Sequence, residues 1–168
     1  MYSQRYQMWK AQFDLRTCVP CKKLHGKIYE VGEQIEPEPP LHERCRCVIE
    51  YLQALLAGTA TQNGIAGADW WLRHYGMLPD YYISRQDAKA AGWVDYVGNL
   101  YLVLPGKMIF GGIYENRNRH LPFVPGRIWY EADINYIGGW RGLERILFSS
   151  DGLIFVTYDH YLTFYEIV

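Results

Sequence analysis

The chain has no surplus of charge of either sign: 17 lysines and arginines stand against 18 aspartates and glutamates, a formal net charge of -1. That balance excludes a protein that holds a polyanion by bulk positive charge, so any contact with nucleic acid has to be local. Long apolar runs are also missing. None approaches the roughly 18 residues of a membrane span, and residues 1–15 lack the basic-then-apolar layout of a secretory signal. No internal repeat or low-complexity tract is present. Cysteine is scarce, with four residues, and all of them, Cys18, Cys21, Cys45 and Cys47, fall in the first third of the chain. Aromatic residues are plentiful at 16%, including 15 Tyr and 6 Trp, which suits a small domain built on few, large side chains. With 168 residues, 49% hydrophobic and 21% charged, the composition is that of one folded domain or two small ones.

Half of the eight prolines lie between residues 20 and 40, close to the cysteines, so the two ends differ in construction and predict two modules. Between them runs a stretch of small and polar residues, Ala57 to Gly67, that reads as a linker. The expected division is a cysteine-rich module over 1–56, a linker over 57–67 and a second domain over 68–168. In the first module, Tyr6, Trp9 and Phe13 at i, i+3 and i+7 predict a helix over Gln4–Leu15. The loop that follows has little apolar surface and needs a staple.

Beyond the linker, Asp69 is placed to cap a helix that ends at Gly76, and Ser84 to cap a second one that ends at Gly92. From there the period changes. Segments near 107–114, 128–136, 144–149, 152–158 and 161–167 are rich in β-branched and aromatic residues and are separated by turns. Helices followed by a meander predict an α+β domain, its N-terminal helices packed on a five-stranded antiparallel sheet, preceded by the small cysteine-rich module.

Alternation along Trp129–Tyr136 puts Tyr130, Ala132, Ile134 and Tyr136 on one face and Glu131, Asp133 and Asn135 on the other, an open surface. The same logic buries Ile146 and Phe148 and leaves Arg145 on the Glu131 face, where the two meet if their strands are neighbours. An ordinary cross-strand ion pair is the plainer reading. His160 lies in the tight connection between the last two strands. It matters chemically if that tip overhangs Glu131, because a carboxylate and an imidazole flanking a phosphate form an acid/base pair.

Several stretches carry a resemblance from Asp69 to Val168: Leu78-Pro79-Asp80, Gly92-Trp93-Val94, Pro105-Gly106-Lys107, Glu131-Ala132-Asp133-Ile134-Asn135-Tyr136, Arg145-Ile146-Leu147 and Asp159-His160-Tyr161. They resemble the barnase-like family of small guanyl-preferring bacterial ribonucleases. This resemblance implies a metal-independent endoribonuclease whose general base is Glu131 and whose general acid is His160. It implies Arg141 and Arg145 on the scissile phosphate, Asp133 bracing them, and Tyr161 beside the bound nucleotide. It further implies a base-reading loop at Glu115-Asn116-Arg117-Asn118. Three departures stand out. The family's active-site lysine is Arg85, one of its aspartates is Gly112, and the base-reading glutamate is Asn118, which puts guanine preference in doubt. From Asp69 onward there are 9 Lys+Arg and 11 Asp+Glu, which predicts RNA contact concentrated at Arg85, Arg117, Arg141 and Arg145.

The cysteine pairs, with His25 and His42 as substitutes, offer the donors of a structural zinc; disulfides and unligated thiols are the alternatives. Trp9, Asp14-Leu15-Arg16-Thr17-Cys18, Leu24-His25-Gly26-Lys27 and Pro39-Pro40-Leu41-His42 with Cys45-Arg46-Cys47 resemble the C-terminal end of phage minor head morphogenesis proteins. Together the two resemblances imply the tail of a longer ancestor bearing a toxin effector, held in check by an acidic barstar-like immunity partner over Arg117, Arg141, Arg145 and His160. Members of the nuclease family are secreted; phage association and toxin delivery are the other routes implied, and the sequence names none of them. Two further readings stand beside this one: a catalytically weakened phage structural or docking protein, and a zinc-dependent nucleic-acid-binding module.

Overall fold

A computed structural model describes residues 1–168. In chain order its elements are β1 (Tyr2–Lys10), α1 (Val19–Leu24), β2 (Ile28–Glu30), β3 (Val48–Leu55), α2 (Ala68–Tyr75), β4 (Tyr82–Ser84) and α3 (Arg85–Ala90). They continue as α4 (Leu100–Val103), β5 (Met108–Tyr114), β6 (Trp129–Asp133), β7 (Arg145–Ser149), β8 (Ile154–Thr157) and β9 (Tyr165–Ile167). All nine strands join one sheet in the order β2-β1-β3-β9-β8-β7-β6-β5-β4. The architecture is α+β, as expected, but the sheet has nine strands where five antiparallel ones were predicted. The meander β5 to β9 is antiparallel throughout. At each of its edges a further strand adds in parallel, β4 on β5 and β3 on β9. Pairing between edges far apart in sequence leaves no local periodicity, which is why the pattern did not carry it.

The helix predicted over Gln4–Leu15 is the strand β1. Its buried residues are Ser3, Tyr6 and Trp9, three apart, because the register against β3 slips between Tyr2 and Gln7. An irregularity of this kind breaks a strand's two-residue period, and the resulting spacing of three imitates one turn of helix. Phe13, which was to complete the helical stripe, is exposed.

The small-residue stretch 57–67 is folded around one side chain. Asp69, expected to cap α2 from outside, lies inside its first turn and is fully buried, while Gly67 occupies the cap position. Its carboxylate accepts from the backbone N–H of Gly58 (2.7 Å) and Ala60 (3.0 Å) and from the Thr61 hydroxyl (2.9 Å). Ala60 packs in the core beneath α2. Asp69→Ala leaves three donors without their acceptor, and since each such loss costs on the order of 1–3 kcal/mol, urea unfolding is expected to register about 3 kcal/mol or more. Ser84 caps α3 as predicted, its Oγ accepting from Asp87 N at 3.0 Å.

Two cores sandwich the meander. Under α2 lie Ala132, Ile134, Ile146, Val156 and Ile167 with Ala68 and Leu72. The opposite face, expected to be open around Glu131, is half covered: Trp129, Leu147 and Phe155 pack there against Tyr6, Ile28, Leu52, Leu121 and Phe164. The N-terminal strands therefore fold back over the same face that carries Glu131, and the uncovered remainder is where the charged residues collect.

Candidate active site

At the uncovered end of that face, β6 and β7 pair Asp133 with Arg145 and Glu131 with Leu147. Arg145 thus meets Asp133 in place of the expected Glu131, with Nε 3.1 Å from Oδ1. Arg141, from the loop between the two strands, donates to both oxygens of the same carboxylate, Nε at 2.6 Å and Nη2 at 2.7 Å. The three side chains are 3%, 10% and 9% exposed for Asp133, Arg141 and Arg145, so they form the floor of the site. Burial works against the charge of Arg141, but the Asp133 hydrogen bonds and charge hold its pKa above the usual arginine range. Its Nη1 lies 3.7 Å from Asp95, a carboxylate in the turn before α4 that sequence reasoning did not single out. Two fixed guanidiniums on one carboxylate leave a net positive floor, the electrostatics that suits a phosphate.

Glu131 sits beside this floor with its side chain 15% exposed. Arg85, at the start of α3, brings Nη2 to 3.7 Å from Oε1, and the Tyr161 hydroxyl donates to Oε2 at 2.5 Å. Burial and the Glu131 charge both push the Tyr161 phenol well up, so it stays protonated and acts as a donor. Room for the carboxylate comes from β5, which carries one extra residue opposite Glu131, between Phe110 and Gly112. That residue is Gly111. A Cβ there would lie 2.7 Å from Glu131 Cγ and 2.9 Å from Oε1. Gly111→Ala is expected to displace the carboxylate and lower RNA cleavage at least tenfold, with a far-ultraviolet circular dichroism spectrum matching the wild type. Gly112, where the resemblance leads one to expect an aspartate, lies in the same bulge.

The turn that carries His160 is tied by the side chain before it. Asp159 Oδ1 accepts from the Thr157 hydroxyl (3.0 Å) and the N–H groups of Leu162 (3.1 Å) and Thr163 (2.9 Å), and Oδ2 accepts from the Thr163 hydroxyl at 2.6 Å. His160 and Tyr161 are held in the left-handed region with φ of 58° and 69°. Such strain in two non-glycine residues persists only when neighbours fix it. The result is an exposed His160 ring 4.9 Å from the Tyr161 ring, whose hydroxyl reaches Glu131. Tyr161 also stacks on Tyr114 at 5.3 Å. Asp159 is thus a positioning group that a lone acidic residue in a turn motif did not announce.

The loop between β5 and β6 uses its side chains on itself. Asn116, at φ 46° and buried, donates from Nδ2 to Leu121 O (2.9 Å) and accepts from Leu121 N (3.1 Å). Arg117 pairs with Glu115, and Asn118 Oδ1 accepts from His120 N at 3.2 Å. His120 is buried, with Nε2 2.8 Å from Lys23 O. Burial lowers its pKa, the Lys23 carbonyl opposes that shift, and the Lys27 charge adds to it. The unfolded chain therefore binds this proton more readily than the folded one. Stability is expected to fall as pH drops through about 6.5 toward the lower folded-state pKa, and His120→Gln to flatten that part of a Tm-against-pH curve.

The four cysteines are unpaired thiols and fall in two overlapping groups, Cys18–Cys21–His42 and Cys21–Cys45–Cys47. His42 joins them; His25 does not, its Nδ1 accepting from Ala11 N at 3.1 Å.

Two buried guanidiniums on one carboxylate, with Glu131 beside them and the His160 turn joined to it through Tyr161, make a site suited to a phosphate group. A family model described as ribonuclease matches residues 73–168, and residues 1–50 match one described as Phage Mu protein F like protein. A ribonuclease of Heyndrickxia coagulans is 48% identical over 108 residues, 64% of this chain and 99% of that protein. Ribonucleases of Bacillus intermedius and Bacillus pumilus are each 49% identical over 112 residues, 67% of this chain and 67% of theirs. The chain belongs to this ribonuclease family, and its enzyme class is that of an endoribonuclease.

Proposed function

We propose that the chain cleaves single-stranded RNA by attack of a ribose 2′-hydroxyl on the adjacent phosphorus, leaving a 2′,3′-cyclic phosphate. Glu131 takes the hydroxyl proton and His160 donates one to the departing 5′-oxygen. Arg85, Arg141 and Arg145 stabilise the charge that gathers on the phosphate oxygens, with Asp133 holding two of them. The observation that carries this reading is Glu131 in contact with Arg85 and Tyr161, beside the Asp133-braced arginines and next to the turn bearing His160. The chemistry is complete without a catalytic metal, and DNA, which lacks the nucleophile, is expected to bind uncut.

The test incubates an RNA oligomer with the protein in EDTA, beside Glu131→Ala and His160→Ala. Cyclic-phosphate ends from the wild type alone support the enzyme; RNA left intact by all three supports the weakened structural protein. Metal-dependent binding without cleavage supports a nucleic-acid-binding module.

Base preference follows from the loop Asn116–Asn118. With the Asn116 amide engaged internally, Arg117 paired to Glu115 and Asn118 Oδ1 already accepting from His120 N, base contact falls to backbone groups and to the remaining lone pair of that amide oxygen, a weaker acceptor than a carboxylate. Any guanine preference is therefore shallow. Asn118→Glu is expected to raise the ratio of cleavage after guanosine to cleavage after adenosine by about tenfold, the effect of one charge-assisted hydrogen bond of about 1.4 kcal/mol, read on matched dinucleotides.

We read residues 1–56 as a phage-head-protein-like segment, 57–67 as the joint and 68–168 as the nuclease domain, the whole acting as a toxin effector. An acidic immunity partner fits the exposed Arg85, Arg117 and His160, but it has to insert a carboxylate to reach the sunken Arg141 and Arg145. Good yields of active enzyme from cells without an inhibitor gene count against that partner.

A further inference from the structure

The N-terminal segment contributes no group to the proposed chemistry, yet it holds a cluster of donors with the dimensions of a metal site. Cys18 Sγ lies 3.2 Å and Cys21 Sγ 3.5 Å from His42 Nε2, and Cys21 Sγ lies 3.7 Å from Cys45 Sγ. Tetrahedral zinc with Zn–S near 2.3 Å and Zn–N near 2.05 Å sets S···N edges of about 3.6 Å and S···S edges of about 3.8 Å. The ring of His42 is oriented for it. Nδ1 is 2.9 Å from Glu43 O, and a proton on Nδ1 donated to that carbonyl leaves Nε2 as a lone pair facing two sulfurs, the tautomer that accepts a thiol proton when the site is empty and ligates a cation placed between them. Behind the cluster, the fully buried Trp9 Nε1 has no oxygen or nitrogen partner, and it packs with Cys21 and Cys47. The cavity among these residues is about 20 Å³, room for one guest the size of a water or an ion.

The same segment hooks onto the active-site loops. Cys21 lies in α1, and two residues on, Lys23 O receives the His120 ring proton at 2.8 Å. Ile28 N donates to His120 O at 2.8 Å. Between them Gly26, at φ 83°, presses so closely on the turn after His160 that a Cβ would lie 2.2 Å from Leu162 O. One short run of chain, residues 21–28, therefore touches both the loop between β5 and β6, at His120, and the turn that carries His160.

We propose that one structural zinc ion joins the two groups, held by Cys21, Cys18 and His42 and by one of Cys45 and Cys47, and that this ion fixes the hook that holds the two active-site loops in place. The metal site stands on its own geometry; its effect on catalysis rests on the ribonuclease reading above. The first measurement is metal content of the full chain by mass spectrometry, with cobalt as the probe of geometry. One zinc per chain is expected, together with the intense visible bands of tetrahedral thiolate-bound cobalt on exchange. Cys21→Ser and His42→Ala are expected to lose the metal, and only one of Cys45→Ser and Cys47→Ser to keep it. Should the first two fail to fold, refolding the wild type with zinc or cobalt under reducing conditions replaces them. A wild type that takes up neither metal, or a Cys21–Cys45 disulfide in the purified protein, overturns the site. The second measurement is amide hydrogen exchange in Glu131→Ala, with zinc and after its displacement by a mercurial. Faster exchange at Ile28, Leu162 and Thr163 with Ile146 and Val156 unchanged supports the hook. Unchanged exchange at the first three overturns it, whatever the fate of RNA cleavage.

Discussion

Glu131→Gln is expected to lower RNA cleavage by about 10²–10⁴-fold near neutral pH, the range that loss of a general base produces, while the protein stays folded. The amide keeps the size and can still accept from Tyr161, so the change isolates the proton-accepting role. His160→Ala is expected to lose a similar factor, because the departing 5′-oxygen then leaves without its proton. The two losses are not additive: with one partner gone the other has little left to act on, so the double variant should fall close to the worse single one. A substrate whose leaving group needs no proton, such as a ribonucleotide aryl phosphodiester, separates the roles. It should rescue His160→Ala and leave Glu131→Gln as slow as before. Equal rescue of both, or of neither, contradicts the assignment of acid and base. Steady-state rates on the two substrates are the check.

Asp133→Ala is expected to produce the largest loss of stability among single changes in the site. Arg141 and Arg145, each with a side chain no more than 10% exposed, rely on that carboxylate as their shared counter-charge. Removing it leaves two buried like charges facing one another. Breaking a buried ion pair costs about 3–5 kcal/mol, and this carboxylate serves two cations. Urea unfolding followed by tryptophan fluorescence should show the midpoint falling with an unchanged slope. Replacing Arg141 by Met in the same chain should recover part of the loss, since one of the stranded charges is then gone. A single variant as stable as the wild type would mean that the carboxylate is not the brace it looks to be.

The meander β5 to β9 was legible because its strands carry β-branched and aromatic residues at a two-residue period between turn signals, and Glu131, Asp133 and Arg145 could be placed on one face from that period alone. Their partners could not be read. Whether Arg145 meets Glu131 or Asp133 depends on the register of β6 against β7, and a shift of two residues preserves every face assignment while changing every pair. Gly111 looked like any strand glycine; its meaning lies in the Glu131 side chain above it. Asp69 and Asp159 read as a cap and a turn residue, whereas each organises a loop through three or more hydrogen bonds that close over distances no local pattern records. The N-terminal segment was the hardest to read, for two reasons. A slip in β1 replaced the strand period with a helical one, and the partners that bury Tyr6, Ile28 and Leu52 are Trp129, Leu147 and Phe155, more than 70 residues away. The cysteines, by contrast, announced themselves by spacing, and what the fold added is the choice between the two candidate histidines, His42 beside two of them and His25 turned to Ala11 N.

The most direct test of the central claim is the chemistry of the new ends. A short RNA carrying one 2′-deoxyribose, digested by the wild-type chain and examined by mass spectrometry at early times, should show 2′,3′-cyclic phosphates on the 5′ fragments, free 5′-hydroxyls on the 3′ fragments and no cut on the 3′ side of the deoxyribose. Fragments ending in a plain 3′-hydroxyl opposite a 5′-phosphate, or a cut directly after the deoxyribose, would mean that water and not the neighbouring hydroxyl attacks the phosphorus, and the roles given to Glu131 and His160 would be wrong.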